Sequence, residues 1–310
     1  MPNKNHDFNF IGKRKIFYII SSIIIIAGLI SFFVQGMNKG LDFTGGEIFQ
    51  IKFNNDVSLP QMRSVVEEYT TSTPSIKATN ENEFSIRTID LGEIKSNKMI
   101  AEMKAKFGDL TVVQNQRIGP IIGQELITNA IWALVLALVL MLIYITIRFQ
   151  FYFAIAAIVP LIHDVLVTVG LFSIFQVEVD STFVAAILTI LGYSIIGTVV
   201  VFDRIRENMR SSKANIAQIT NDSINETLGR TINTVVAVII LVLSLLFLGG
   251  ESTRSFCLAL FIGFATGAYT SIFIAGGILT DLMNHFGNKP KTAKAPVKGN
   301  NKAKNPVKVK

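Results

Sequence analysis

The stretch "FYFAIAAIVPLIHDVLVTVGLFSIF" (residues 151–175) decides how the chain is read, because it is apolar except for His163 and Asp164 near its centre. A helix rises about 1.5 Å per residue and the hydrocarbon core is about 30 Å thick, so roughly 20 apolar residues cross a bilayer. Pro160 frees a backbone carbonyl and can kink the helix, which a surrounding bundle tolerates. A charge at the bilayer centre costs about 2.5–3.5 kcal/mol on insertion scales, so it faces water or a partner and marks a functional site. A carboxyl group withdrawn from water is disfavoured in its charged form, which makes Asp164 a candidate to load and release a proton. His163 is the second candidate. Adjacent helical residues point about 100° apart, so the two need not share a partner. The plainer alternative is that both only tie helices together by hydrogen bonds.

Outward from this span, five more follow, near 15–35, 128–147, 181–202, 232–249 and 255–280. Half of the 310 residues are hydrophobic and 16% are charged, against about 25% in soluble proteins. The first span is too long for a signal-peptide core, and "VQGMNKG" (34–40) offers no small-x-small cleavage site, so it reads as retained. The first fifteen residues are mixed in charge and poor in Ser and Arg, which argues against a transit peptide. Cys257 stands alone, excluding an internal disulfide or a cysteine cage. His6, His163 and His285 are too far apart to suggest a metal cluster, so neither metal nor cofactor is expected.

Basic residues set an orientation. The N-terminal segment (1–14, with Lys15 following) carries Lys4, Lys13 and Arg14. The loop after span four carries Arg204, Arg206, Arg210, Lys213 and Arg230. The tail (286–310) holds eight lysines and no acid, whereas the turns "FQVEVD" (175–180) and "GGESTR" (249–254) hold one basic residue, Arg254. Both termini therefore read as cytoplasmic, and the formal charge of +7 is mostly this asymmetry. The tail has no aromatic residue to stack on a base, so it reads as a solvated segment near membrane lipid rather than a specific nucleic-acid binder.

Residues 36–127 differ in composition and form the one extramembrane domain. "GEIFQIKF" (46–53) reads as a strand. "SLPQMRSVVEEY" (58–69) reads as a helix with Ser58 as N-cap and Pro60 in its first turn. "SIKAT" and "EFSIRTI" are strands joined by "NEN" (80–82), "GEIKSNKMIAEMKAKFG" (92–108) is a second helix, and "LTVVQNQRI" (110–118) is a last strand. The order βαββαβ predicts a ferredoxin-like α+β domain between spans one and two. It holds no histidine or cysteine and no recognisable nucleophile–base pair, so it reads as a handle for a partner or polypeptide.

A family resemblance now has its residues in place: "GLDFTGGE" (40–47), "RIGPIIGQEL" (117–126), "HDV" (163–165), "GYS" (192–194) with "VVVFDRIREN" (199–208), and "GRTINT" (229–234). In this order, over about residues 10–285, the chain resembles the SecF family, accessory subunits of the Sec protein translocase. That family is related to the resistance–nodulation–division exporters. The resemblance implies a six-helix inner-membrane protein with an outer domain, working with SecD at the Sec channel (SecYEG) on a translocating polypeptide. It further implies YajC and YidC as partners, use of the proton-motive force, no cofactor and no enzymatic step.

In one place the chain departs from the family. Members usually read Asn-Asp-Thr where this chain has Ile196, Gly197 and Thr198, and that aspartate is usually assigned to the proton path. Gly197 cannot replace it; Ser194 and Thr198 remain as polar groups that do not titrate. Three accounts follow: Asp164 suffices together with charges of SecD, coupling is weak or uses another ion, or this subunit is a structural half. Elsewhere, Ala259, Gly263, Gly267, Ser271 and Ala275 form a small-residue stripe suited to helix packing. Asp42, Gly45 and Gly46 form a joint between span one and the outer domain, a hinge if that domain moves. Asp203, Arg204, Arg206 and Glu207 mark the cytoplasmic end of span four and a candidate docking motif for the channel. Two other classes compete. A small-molecule exporter of the same superfamily normally has a duplicated twelve-span chain. An intramembrane aspartyl protease needs a second carboxylate at depth.

Overall fold

The computed structural model of the protein describes residues 8–70, 74–80 and 82–286. His6, Glu81 of the "NEN" turn and the lysine tail from residue 287 lie outside them. In chain order the elements are α1 (Arg14–Gln35), a single turn α2 (Leu41–Thr44), β1 (Gly46–Phe53), α3 (Leu59–Tyr69), β2 (Ser75–Asn80) and β3 (Glu83–Thr88). There follow α4 (Glu93–Phe107), β4 (Leu110–Ile118), α5 (Pro120–Arg148), α6 (Phe151–Ile174), α7 (Ser181–Ser211) and α8 (Ile216–Leu248). The chain closes with α9 (Glu251–Tyr269), a π-helical turn (Thr270–Ile274) and α10 (Ala275–Phe286).

Six segments are long and apolar enough to cross a membrane, the last being α9, the π turn and α10 in one run. α6 is the most enclosed, with Ala154, Ala156, Ala157, Leu161, Val167 and Phe172 turned into the bundle. α1 and α5 expose most of their apolar surface. Only Ser21 and Gly28 of α1 are buried. Gly28 and Gly170 of α6 meet backbone to backbone, since a methyl group on either would lie 2.7–2.8 Å from the other's Cα. Ser31 Oγ and Ser173 Oγ, 2.8 Å apart, continue the α1–α6 contact.

The sheet has strand order β2-β3-β1-β4 with every neighbouring pair antiparallel. Phe49, Ile51 and Phe53 recur at the period of two that places them on one face of β1. They pack on Met62, Val65 and Val66 of α3 and on Met99 and Met103 of α4, which recur at helical spacing. α3 starts where expected: Gln61 Oε1 accepts from the Ser58 backbone N–H at 3.2 Å and from its hydroxyl at 2.8 Å.

Helix extents correct the sequence reading in two places. α5 begins at Pro120, eight residues before the expected span, because Pro is pre-organised for a first helical position and needs no N–H partner there. The expected loop after span four is mostly helical: α7 continues to Ser211 and α8 starts at Ile216, capped by Asn215 Oδ1 accepting from Gln218 N–H at 2.8 Å. Arg204, Arg206 and Arg210 therefore sit on α7, and Arg230 lies well inside α8. Hydropathy marks where lipid begins and says nothing of how far a helix runs into water. Here Arg204 pairs with Glu226, and Asn208 Nδ2 donates to Ser223 Oγ at 3.0 Å, so the two extensions hold each other.

Candidate functional site

Asp164 is fully buried in the interior of α6. Its carboxylate draws partners from two other membrane segments. Ser194 of α7 donates its hydroxyl to Oδ2 at 2.6 Å. Thr270, at the start of the π turn, lies 3.1 Å from both oxygens. His163 Nδ1 lies 3.3 Å from Asp164 Oδ1, so the two neighbours meet each other although their other partners differ. The short aspartate side chain can turn along the helix toward the imidazole, a freedom that ideal Cβ directions ignore. His163 Nε2 is buried with no hydrogen-bond partner among the described residues, while its ring faces Tyr269 at a centroid distance of 6.1 Å. Tyr269 in turn accepts from Ser21 Oγ at 3.1 Å and donates to the Phe17 carbonyl at 2.9 Å, linking α1 to the site.

The polar groups of span four divide between two roles. Ser194 reaches Asp164, whereas Thr198 Oγ1 lies 3.3 Å from Ser271 Oγ and not on the carboxylate. Ser271 also donates to the Gly267 carbonyl at 2.7 Å. Gly197 lies against Ser271: an added Cβ would stand 2.8 Å from Oγ. A cavity of about 390 Å³ adjoins this face, lined among others by Tyr193, Gly197, Arg230, Thr234 and Ser271. Two glycines of the small-residue stripe in span six lie against neighbouring helices. A Cβ on Gly263 would collide with Ile190, and one on Gly267 would lie 3.2 Å from Ser194 and 3.6 Å from Asp164 Oδ2. Gly267 thus admits α7 and α6 to the same point, while Gly263 packs away from the carboxylate.

Thr270, Tyr269 and the π turn escaped the sequence reading. A π turn inserts one residue into the helix register and often marks a functional position; here its first residue is Thr270, which reaches Asp164. Hydroxyl residues are frequent throughout this chain, so nothing in the local sequence singled that one out.

The joint to the outer domain is built on glycines in left-handed or related conformations. Gly45 has φ +71° and Gly46 φ +138°, and a Cβ on Gly46 would strike Leu41 and the Thr88 carbonyl. Asp42, at this joint, ties it to the bundle: its Oδ2 accepts from the Ser181 backbone N–H at 2.7 Å, at the start of α7. Gly40 N–H donates to the Val179 carbonyl at 2.7 Å, and Val179 N–H to that of Asn38 at 2.9 Å. Arg87 of β3 pairs with Glu178, fastening the sheet to the same α6–α7 connection. The charged end of α7 stands apart from the carboxylate cluster. Asp203 pairs with Arg148 of α5 at 3.3 Å, Arg206 donates to the Arg148 carbonyl at 3.0 Å, and Glu207 pairs with Arg204 at 2.6 Å. Among the described residues no three His, Cys, Asp or Glu side chains converge as metal ligands would.

Comparison with known proteins fits this architecture. Residues 98–285 match the family model "Protein export membrane protein SecD/SecF, C-terminal", and residues 30–57 match the SecD/SecF GG motif. Protein translocase subunit SecF of Sebaldella termitidis is 38% identical over 296 residues, covering 93% of this chain and 96% of that protein. Protein translocase subunit SecDF of Bacillus subtilis is 37% identical over 277 residues, covering 87% of this chain and 37% of that one. The crystal structure of SecDF, a translocon-associated membrane protein from Thermus thermophilus, superposes with a TM-score of 0.81 at 32% identity. This chain is covered to 89% and spans 39% of the length of that larger protein. The chain belongs to the SecF family of multi-pass membrane proteins, subunits of the protein translocase.

Proposed function

We propose that the chain is an accessory subunit of the Sec protein translocase that works with SecD and uses the proton-motive force to promote polypeptide translocation. The observation that carries this is the complete burial of Asp164 at the meeting point of α6, α7 and the π turn, with Ser194 and Thr270 as donors. Loading or discharging a carboxylate held by three segments changes what those hydroxyls must do, so protonation and helix packing are linked. The SecDF proteins of Bacillus subtilis and Thermus thermophilus, of which this chain spans 37% and 39%, support SecD as the partner of a separate SecF chain. The Sec channel, YajC and YidC are the wider partners, and the subunit acts without a covalent catalytic step.

The β1-α3-β2-β3-α4-β4 order and the antiparallel sheet support a ferredoxin-like domain between the first two spans, outside the cytoplasm, with both termini inside. Its contacts with the α6–α7 connection through Arg87, Asp42 and Gly40 support a route by which a shift of α6 or α7 reaches it. Gly197 supports a second reading, in which this subunit is a structural half and the titrating group lies in SecD. Translocation into inverted membrane vesicles, with and without a protonophore, separates the two. Asp164→Asn at matched abundance keeps size and hydrogen bonding but cannot ionise. The first reading expects the gradient-dependent stage to be lost in the variant; behaviour equal to native assigns the coupling charge to SecD.

A further inference from the structure

The chain ahead of α1 is fastened to the extension of α8 by two side chains one helical turn apart. Asn225 Oδ1 accepts from the Phe8 N–H at 3.1 Å, and its Nδ2 donates to the Phe8 carbonyl at 2.9 Å. Asn221 Oδ1 accepts from the Phe10 N–H at 2.8 Å and from the Ile11 N–H at 3.4 Å. Backbone outside helix and sheet needs such partners, and an asparagine side chain offers both a donor and an acceptor. Ile11 is buried in one apolar cluster with Ile219 and Ile224 of α8 and Ile272 of the π turn. Arg14 closes the segment: its guanidinium donates to the Ile11 carbonyl at 2.9 Å and pairs with Asp281 of α10 at 2.7 Å.

A run of rings joins this strap to the buried carboxylate. Phe10 meets Phe273, the fourth residue of the π turn, edge-on at a centroid distance of 5.5 Å, and Phe17 meets the same ring at 4.3 Å. Phe273 lies 5.3 Å from Tyr269, whose ring faces His163. One short turn thus carries Phe273 against the strap and Thr270 against Asp164. Packed interiors pass displacements on rather than absorb them. The α8 extension backs the strap firmly. A Cβ on Gly276 of α10 would stand 2.9 Å from Thr220 and Ile224, and Thr280 donates to Thr220 Oγ1 at 3.2 Å. A segment held by a few bonds against a packed helix opens before the helix does.

We infer that Phe8–Ile11 is a releasable strap whose seating on Asn221 and Asn225 is linked, through Phe273 and the π turn, to the state of Asp164. An ionised Asp164 holds Thr270 by a charge-assisted hydrogen bond, about twice as strong as a neutral one. Neutralising it loosens the first residue of the turn, and the ring at the fourth residue loses its fixed place against Phe10. Linkage is reciprocal, so whatever lifts the strap biases the carboxylate by the same factor. The strap is thereby a point of control over the buried site from the membrane face that bears it. The inference rests on the function proposed above only in taking Asp164 as the group that changes state.

The test is backbone amide exchange of the full chain with its partner subunit in lipid nanodiscs, resolved for the peptide bearing Phe8, Phe10 and Ile11. Asn221→Ala combined with Asn225→Ala should speed exchange there and sets the level of an unseated strap. Asp164→Asn should speed it at least about fivefold, the lower end of usual coupling between sites. The Ile219 amide, which donates to the Asn215 carbonyl at 3.0 Å in the first turn of α8, should not move. Adding Phe273→Leu, which keeps apolar bulk and removes the ring, should erase the response to Asp164→Asn. If Phe273→Leu does not assemble, Phe10→Leu removes the same ring contact from the other side and is held to the same outcome. Strap exchange indifferent to the asparagine pair or to Asp164→Asn overturns the inference. So does a rise shared by Ile219, which is fraying of the helix, or a response that survives loss of the ring. Exchange is read without translocation. An Asp164→Asn chain that translocates as native defeats the proposed function, whereas flat exchange defeats this inference, so the two failures are distinguishable.

Discussion

Gly170→Ala tests whether α1 is held to the bundle by backbone contact. The added Cβ would stand 2.8 Å from Gly28 Cα. Carbon atoms pack at about 3.5–4.0 Å, so α1 and α6 must separate by about 1 Å locally. Overpacking of this kind costs about 1–3 kcal/mol. The Ser31–Ser173 contact, one turn further along at 2.8 Å, would open past hydrogen-bonding range. Losing it adds about 0.6 kcal/mol, the average for such bonds between membrane helices. The expected loss is thus about 2–3.5 kcal/mol in a reversible unfolding measurement in bicelles. The geometric consequence is read separately by cysteines at positions 31 and 173 in a Cys257→Ala background, where disulfide formation should fall on adding Gly170→Ala. Gly192→Ala serves as the control, because a Cβ there meets nothing within 4 Å; it should be neutral or gain up to about 1 kcal/mol. A loss below about 0.5 kcal/mol with undiminished crosslinking would refute the close-packed α1–α6 contact. The consequence is functional, since α1 leads directly into the glycine joint of the outer domain.

Gly197→Ala should cost about 1–2 kcal/mol, because its Cβ displaces Ser271 Oγ from the Gly267 carbonyl and from Thr198. Adding Ser271→Ala should return part of that loss, and strictly additive effects in the double variant would show that the two residues do not collide. In the outer domain, Lys106 at 2.7 Å and then the Tyr69 hydroxyl at 2.5 Å hold the Glu102 carboxyl below its ordinary range. A carboxyl lowered by folding contributes stability that is present above its unfolded value, about 4.3, and is lost as pH falls through the folded value. Tyr69→Phe should move the Glu102 midpoint, followed by carboxyl NMR on the labelled full chain, partway back upward; an unmoved midpoint excludes the Tyr69 contribution.

The expected outer-domain strands and helices lie within one or two residues of those found, because Phe49, Ile51 and Phe53 alternate and Met62, Val65 and Val66 recur at helical spacing. Such periods are local properties of the chain. Asp164 was legible for a related reason: an acid inside 25 otherwise oily residues is anomalous wherever the rest of the chain lies. Gly263 and Gly267 were also visible as a stripe, although only packing revealed that Gly267 alone approaches the carboxylate.

What the sequence by itself determined is the number and place of the spans, the strand and helix pattern of the outer domain, and the one acid at depth. Each follows from hydropathy or periodicity within a single helix or strand. Tertiary structure alone decided that Ser194 and Thr270 serve Asp164 while Thr198 serves Ser271, that Gly28 meets Gly170, and that Asp42 ties the joint to α7. Each of these pairings joins residues 30 to 142 positions apart in sequence. They depend on helix rotation and relative depth. Those quantities are set by how whole helices pack, so no short window of sequence carries them.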